Sequence, residues 1–250
     1  MMIFNNLKIN KIKLKNRIVV SPMCQYSSKN GSPTSWHYHH LSRLASSGAG
    51  LVMIESTAIS KNGKISSKDL CLSNKTQEKN LKKLKIFLNE ISDTPIGIQL
   101  SHAGRKGSSN LPWIKSNSPL KKNFWQTYAP SSIKRDKNWP TPKKLTLSQI
   151  KKIINDFKNS AQRAKRIGFE CLEIHMAHGY LLHQFLSPIS NKRTDKYGGN
   201  FSNRAKFLLQ IAEEIRKIWP KNKILGARIT ATDHLKDGLK IEDSIKFVKL

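Results

Sequence analysis

Residues 146–180 read TLSQIKKIINDFKNSAQRAKRIGFECLEIHMAHGY, and this stretch decides the fold class. Thr146 with Gln149 three residues on has the form of a capping box, which opens a helix. Ile150, Ile153, Ile154, Phe157, Ala161, Ala164 and Ile167 recur at steps of three and four, so one face is apolar along its length. Gly168 then ends the helix as a C′ glycine. The pattern changes at once. Glu170–His175 is a short β-rich run, and polar residues gather at its C-terminal end in His175, His178 and Tyr180. A helix feeding a short buried strand is the unit of a parallel α/β fold.

The same unit recurs on both sides. Arg17–Val20, Gly50–Glu55, Pro95–Leu100 and Ile224–Ile229 read as further buried strands. Asn74 with Gln77 opens a helix carrying Leu81, Leu84, Phe87, Leu88 and Ile91. Another runs from about Ser202 through Ala205, Leu208, Leu209, Ala212 and Ile215 to Trp219-Pro220, and Ile241–Leu250 reads as a last one. Residues 105–144 break the rhythm with repeated prolines and the aromatics Trp113, Phe124, Trp125, Tyr128 and Trp139. Such a connection is either a lid over the end of the third strand or a surface excursion along the wall.

Polar residues collect at the C-terminal end of every strand, where both open α/β sheets and β/α barrels build their sites. Neither GxGxxG nor GxxxxGK[ST] occurs, which removes the main support for Rossmann and P-loop readings. The expectation is one domain over residues 1–250: a (β/α)8 TIM barrel, C-terminally truncated after about five βα units, with a lid-like excursion at about 105–144.

The formal charge is +29, which invites a nucleic-acid reading. The basic residues are mostly lysine, however, and are dispersed through every segment rather than gathered with aromatics on one face. A solvated lysine-rich surface is the simpler reading, and no nucleic-acid partner is expected. No apolar run approaches the roughly 18 residues of a membrane span. Met1–Val20 lacks the apolar core of a signal peptide. Cys24, Cys71 and Cys171 are odd in number and match no metal spacing, so a reduced, cytoplasmic setting is expected.

Several strand-end residues can carry chemistry. His175 and His178 could ligate a metal, act as acid and base, or donate to a substrate oxygen. The His37-Tyr38-His39-His40 run, His102 and His183 follow no established ligand spacing, so no metal is expected. Cys24 is either a buried inert thiol or a nucleophile that needs a base. Tyr26 and Tyr180 could be proton donors or aromatic walls. Gln99 offers a donor and an acceptor to a heterocycle edge. Arg228 suits an electron-rich ligand, or pairs with Glu55 or Glu173. Together they describe a planar, polar-edged heterocycle over a barrel mouth.

Ser21-Pro22-Met23-Cys24-Gln25-Tyr26, Gln99–Lys106, His175–Tyr180, Phe185–Pro188, Ser190–Gly199 and Asn203-Arg204 resemble the motifs of the old yellow enzyme (NADH:flavin oxidoreductase) family. The Cys-containing bacterial ene-reductase and xenobiotic-reductase branch is the nearest in pattern. The resemblance runs in order from about Leu7 to Leu250. It implies FMN as cofactor and NAD(P)H as hydride donor. It puts Ser21, Pro22, Met23, Cys24 and Ser56 against the flavin, Gln99 on its pyrimidine edge and Arg228 on its N1/O2 side or ribityl. His175 and His178 would hold a substrate carbonyl, Tyr180 would donate a proton, and Tyr26 would wall the pocket. Cys24 would tune the flavin. The implied partners are a small-molecule substrate and, in the full-length family, a second copy of the chain. Family chains run on to strands six to eight, including phosphate-binding loops and a C-terminal arginine. The second expectation is therefore an inactive remnant of such an enzyme.

Overall fold

The computed structural model describes residues 2–250. An antiparallel hairpin comes first, β1 (Leu7–Ile9) and β2 (Ile12–Leu14). Strands and helices then alternate: β3 (Val19–Val20), α1 (Ser35–Ala45), β4 (Leu51–Ala58), α2 (Lys75–Ile91) and β5 (Ile96–Ser101). The excursion carries α3 (Pro112–Lys115), β6 (Tyr128–Ala129) and β7 (Lys143–Lys144). The alternation resumes with α4 (Leu147–Ile167), β8 (Cys171–Met176), α5 (Leu181–Leu186), α6 (Phe201–Ile218), β9 (Ile224–Ile229) and α7 (Ile241–Val248). Strands β3, β4, β5, β8 and β9 form one parallel sheet in that order. Sequential order with helical crossovers is the order of a β/α-barrel wall. An open doubly wound sheet reverses its order at a switch point.

The capping box at Thr146 and Gln149 forms, and Gly168 ends α4 in the left-handed region at φ 103°. The apolar stripe of α4 buries Ile150, Ile153, Phe157, Ala161, Ala164 and Ile167. These meet Val52, Ile54, Ile98, Leu100, Leu172 and Ile174 in one core. Side chains alternate across a strand, so residues two apart share a face. The other face therefore holds Leu51 and Met53 on β4 and Cys171, Glu173 and His175 on β8. Its lower part is apolar: Leu51, Met53 and Cys171 pack with Leu14 of the hairpin in a separate cluster. Its upper part carries the polar side chains. The N-terminal hairpin thus closes the bottom of the inner face and leaves the top for a site.

Two readings need correction. The first strand is confined to Val19–Val20, because Asn16 bonds to Gly48 and Ile18 outside the sheet ladder. The hairpin and helices α1 and α5 have no counterpart in the sequence reading. The hairpin's alternation is masked by lysines on its solvent side, with Asn10 in the left-handed turn at φ 55°. In the excursion, Trp139 is buried, but Trp113 and Phe124 are 65% and 70% exposed, so its aromatics do not pack as one layer. Trp113 does stand edge-on to Tyr26, with ring centroids 6.1 Å apart.

Candidate active site

The strand ends converge on a cleft of about 220 Å³. Ser21, Pro22 and Cys24 line it from the segment after β3, Ser56 from β4 and Gln99 from β5. His175, His178 and Tyr180 line it from β8 and the turn beyond, and Arg228 from β9. Met23 is not in the lining and is half exposed, and Tyr26 stands outside it beside Trp113. Pairing explains the convergence: Ser56 is opposite Gln99, Gln99 opposite Glu173, and His175 opposite Arg228. Ser56, Gln99 and Glu173 therefore share one level of the inner face, and His175 and Arg228 share the next level toward the strand ends. The Ser56 and Ser101 hydroxyls, 2.5 Å apart, join β4 diagonally to β5 above it.

Glu173 organises the polar edge. Its Oε1 accepts from Gln99 Nε2 at 2.6 Å and from Arg228 Nε at 3.0 Å, while Oε2 accepts from Arg228 Nη2 at 3.3 Å. The forked contact fixes the guanidinium plane. Glu173 also orients the Gln99 amide, one of whose two N–H donors it takes, and the amide carbonyl has no partner among the described residues. Glu173 entered the sequence reading only as a possible partner of Arg228. The signal was its i−2 position from His175 on one strand, which shares its face.

The two histidines are neutral. Burial, reinforced by His178, Arg228 and Lys106, pushes His175 down to about 3. His175 Nδ1 accepts from the Ala177 N–H at 3.2 Å, which puts its proton on Nε2. Partial loss of solvent around an otherwise exposed ring, then Arg228 and Lys106, also lowers His178. The rings cross at 87° with centroids 5.1 Å apart. His178 sits at φ 57°, and its backbone is held on both sides. Its backbone N–H donates to Thr230 Oγ1 at 2.8 Å, and its backbone carbonyl accepts from Lys106 Nζ at 2.8 Å. The same ammonium lies 4.7 Å from the centre of the Tyr180 ring. Burial first, then neighbouring cations, brings Lys106 down to about 8. Behind the turn, Gly179 N–H donates to His183 Nδ1 at 2.8 Å, and His183 Nε2 stands 3.0 Å from Asp233 Oδ1.

Tyr180 is pushed far up by burial, so its hydroxyl keeps its proton and is available as a donor. Tyr26 is raised for the same first reason. Cys24 is raised well above a free thiol by burial, then by the carboxylates of Asp69 and Glu55. It is a thiol, not a thiolate, and lacks the activation that a nucleophile needs. Among the described residues no three His, Cys, Asp or Glu side chains are grouped to hold a metal ion. His37 instead caps α1, its Nδ1 accepting from the Thr34 N–H at 3.0 Å. No helix is long and apolar enough to cross a membrane.

Fixed cation, free amide carbonyl, neutral N–H donors and small Ser56 suit a planar, electron-rich heterocycle with alternating donors and acceptors. The group that the resemblance implies, a flavin, has that edge, and these residues fit it.

The sheet has the strand order of a β/α-barrel wall with a polar cleft at its strand ends, and comparison with known proteins identifies the family. The profile of the NADH:flavin oxidoreductase / NADH oxidase family matches residues 2–250. The chain belongs to that family, of which FMN and a nicotinamide donor are the expected cofactors. An NADH:flavin oxidoreductase of Gibberella zeae is 42% identical over 246 residues, covering 96% of this chain and 59% of that protein. An NADPH dehydrogenase of Listeria monocytogenes serotype 4b is 44% identical over 249 residues, covering 99% of this chain and 69% of that protein. The structure of morphinone reductase matches 97% of this chain and 66% of its own with TM-score 0.84 and 26% identity. The chain thus spans about three fifths to two thirds of the length of the relatives it matches.

Proposed function

We propose that this chain is the site-bearing part of an FMN-dependent NAD(P)H oxidoreductase of the ene-reductase type, with its five βα units corresponding to the first five of an eight-unit barrel. FMN, when bound, supplies a relay for two electrons between a nicotinamide and an alkene. Gln99 and Arg228, both tied to Glu173, hold the heterocycle's polar edge. His175 and His178 donate N–H groups to the carbonyl or nitro oxygen of an activated alkene, and so stabilise the charge that develops there. Tyr180 gives its proton to the α-carbon while the β-carbon takes the hydride. NAD(P)H is oxidised to NAD(P)+, and the C=C bond becomes C–C with one hydride and one proton added. Cys24 lies against the ring as a neutral thiol and modulates its potential. Lys106 holds the turn that carries both His178 and Tyr180.

The observation that carries this reading is the neutral, crossed pair His175 and His178 beside a protonated Tyr180 at one cleft. Two neutral donors beside an acid suit an oxygen that gains negative charge. Morphinone reductase, a structural neighbour, has been solved in complex with tetrahydroNAD, a nicotinamide analogue, which adds support. The test is anaerobic turnover of the flavin-loaded protein with NADPH and 2-cyclohexenone. The expected result is one enone saturated per NADPH consumed, with Tyr180→Phe slowing the enone step and leaving reduction by NADPH intact. Flavin-loaded protein that consumes no NADPH with any enone or nitroalkene would overturn the reading in favour of an inactive remnant.

A further inference from the structure

A second cavity, of about 370 Å³, opens between the loop after β4, the end of β5 and the first turns of α4. It shares no lining residue with the cleft of Cys24 and His175. Its volume falls in the range of small-molecule pockets, roughly 300–1,000 Å³. His102, only 3% exposed, lines it. His102 Nδ1 accepts from the Gly104 N–H at 3.0 Å, so the ring proton sits on Nε2. That N–H has no hydrogen-bond partner among the described residues. The ring cannot turn away to find one, because it packs on Gly63, where even a Cβ would come within 2.9 Å of His102 Cδ2. That N–H is not among the sealed, unpartnered side-chain atoms, so it meets solvent at the cavity that His102 lines, and an unpartnered donor opening on a cavity is a recognition element.

The rest of the lining says what it would recognise. Tyr128, Leu145 and Ile153 give apolar walls. Lys61 and Lys152 stand at the rim, and only Asp156 offsets them, 2.6 Å from Lys152 Nζ. Lys152 and His102 line the same cavity, and Lys152 lowers His102 further, after burial itself. The cavity lies beside the N-terminal turn of a 21-residue helix, whose positive end adds to the attraction for an anion. A dianionic phosphate would want more donors than one N–H and two rim lysines, and would gain nothing from the apolar walls.

We propose that this cavity is a binding site for a small organic monocarboxylate with an apolar body. One carboxylate oxygen accepts from His102 Nε2, Lys152 and Lys61 supply the countercharge, and the body lies on Tyr128, Leu145 and Ile153. The site is separate from the flavin cleft and stands or falls independently of the reaction proposed there.

The probe is sodium benzoate, titrated into the full chain with 15N-labelled histidine rings. The expected result is a saturable shift of the His102 Nε2 resonance, identified by its loss in His102→Gln. Lys152→Ala should weaken benzoate by about five- to tenfold, the size of one charge-assisted contact at a partly exposed site. Asp156→Asn should tighten it, because Lys152 is then released from its competing carboxylate. Benzyl alcohol, of like shape and no charge, should not shift the resonance. If His102→Gln fails to fold, the two α4 surface variants still decide. The proposal is overturned if benzoate moves only the His175 and His178 resonances, or if Lys152→Ala and Asp156→Asn leave its affinity unchanged.

Discussion

At the scale of single residues, burial keeps His175 and His102 neutral. His175 falls to about 3 and His102 to about 4, both from an ordinary 6.5 and both chiefly through burial. Below pH 6.5 the unfolded chain therefore binds protons that the folded chain refuses, and stability is lost as pH falls from 6.5 toward those values. Asp69 acts oppositely: burial raises it from 3.8 to about 6, so the folded chain binds a proton first there. Its shift is smaller than the two histidine shifts together, and the net expectation is destabilisation on acidification. Urea midpoints measured from pH 7 down to about pH 4 should fall, and His175→Gln should flatten that slope. Midpoints that hold steady or rise over this window would contradict it. His178 is different, because its side chain is exposed and its removal leaves no buried hole. His178→Ala should retain flavin and melting temperature while the rate with an enone drops by on the order of 10²–10³, the usual cost of one oxyanion donor. A variant that loses flavin but keeps enone affinity would place His178 on the cofactor instead.

At the scale of elements, the strand-to-helix turn after β8 holds the histidines by contacts that come from far along the chain. Asp233 accepts from Ser187 Oγ at 2.7 Å and from the Leu239 N–H at 2.8 Å, and faces His183. His183 in turn takes the Gly179 N–H. Asp233→Asn should cost about 1–3 kcal/mol, since one partly buried acceptor loses its charge and a clamp is loosened. The check is a thermal melt together with KM and kcat for an enone. A rise in KM with kcat nearly kept would mark a positioning role, and an unchanged melt would refute the clamp. This clamp was illegible in the sequence because it joins residues some fifty apart with no local pattern. What was legible had a local cause. Helix α4 announces itself by its stripe, its cap box and its closing glycine, and β9 was read with its bounds at Ile224–Ile229. Nine of the eleven singled-out residues line one cleft, because strand ends collect them whatever the helices do between. Helix α1 was missed because its buried residues are His37, Leu41 and Ala45, too few and too polar to form a stripe. Glu173 was underweighted because its role depends on cross-strand register with Gln99 and Arg228.

At the scale of the whole molecule, two opposed features set how chains meet. The parallel sheet has two edges among the described residues, β3 and β9, and unpaired edges promote association. Apolar side chains lie exposed near both: Ile18 and Val19 at one, Ile241, Ile245 and Val248 on the helix after the other. Against this stands a formal charge of +29, which repels like chains. The reach of that repulsion depends on salt, about 30 Å at 0.01 M and about 3 Å at 1 M. At low salt it acts across the whole width of the approaching molecules. At high salt it acts only at contact, where edge pairing and apolar burial already favour union, and sulfate strengthens the latter further. A polypeptide of these 250 residues should therefore elute near its 28.4 kDa monomer mass at low ionic strength and shift to larger species as salt rises. Val19→Lys, which adds a charge on the exposed edge, should delay that shift to higher salt. The measurement is size-exclusion with light scattering across a sodium sulfate series. A single monomeric peak at every concentration of salt would show that the edges are protected. A larger species already present at the lowest salt would show that apolar contact outweighs the charge from the start.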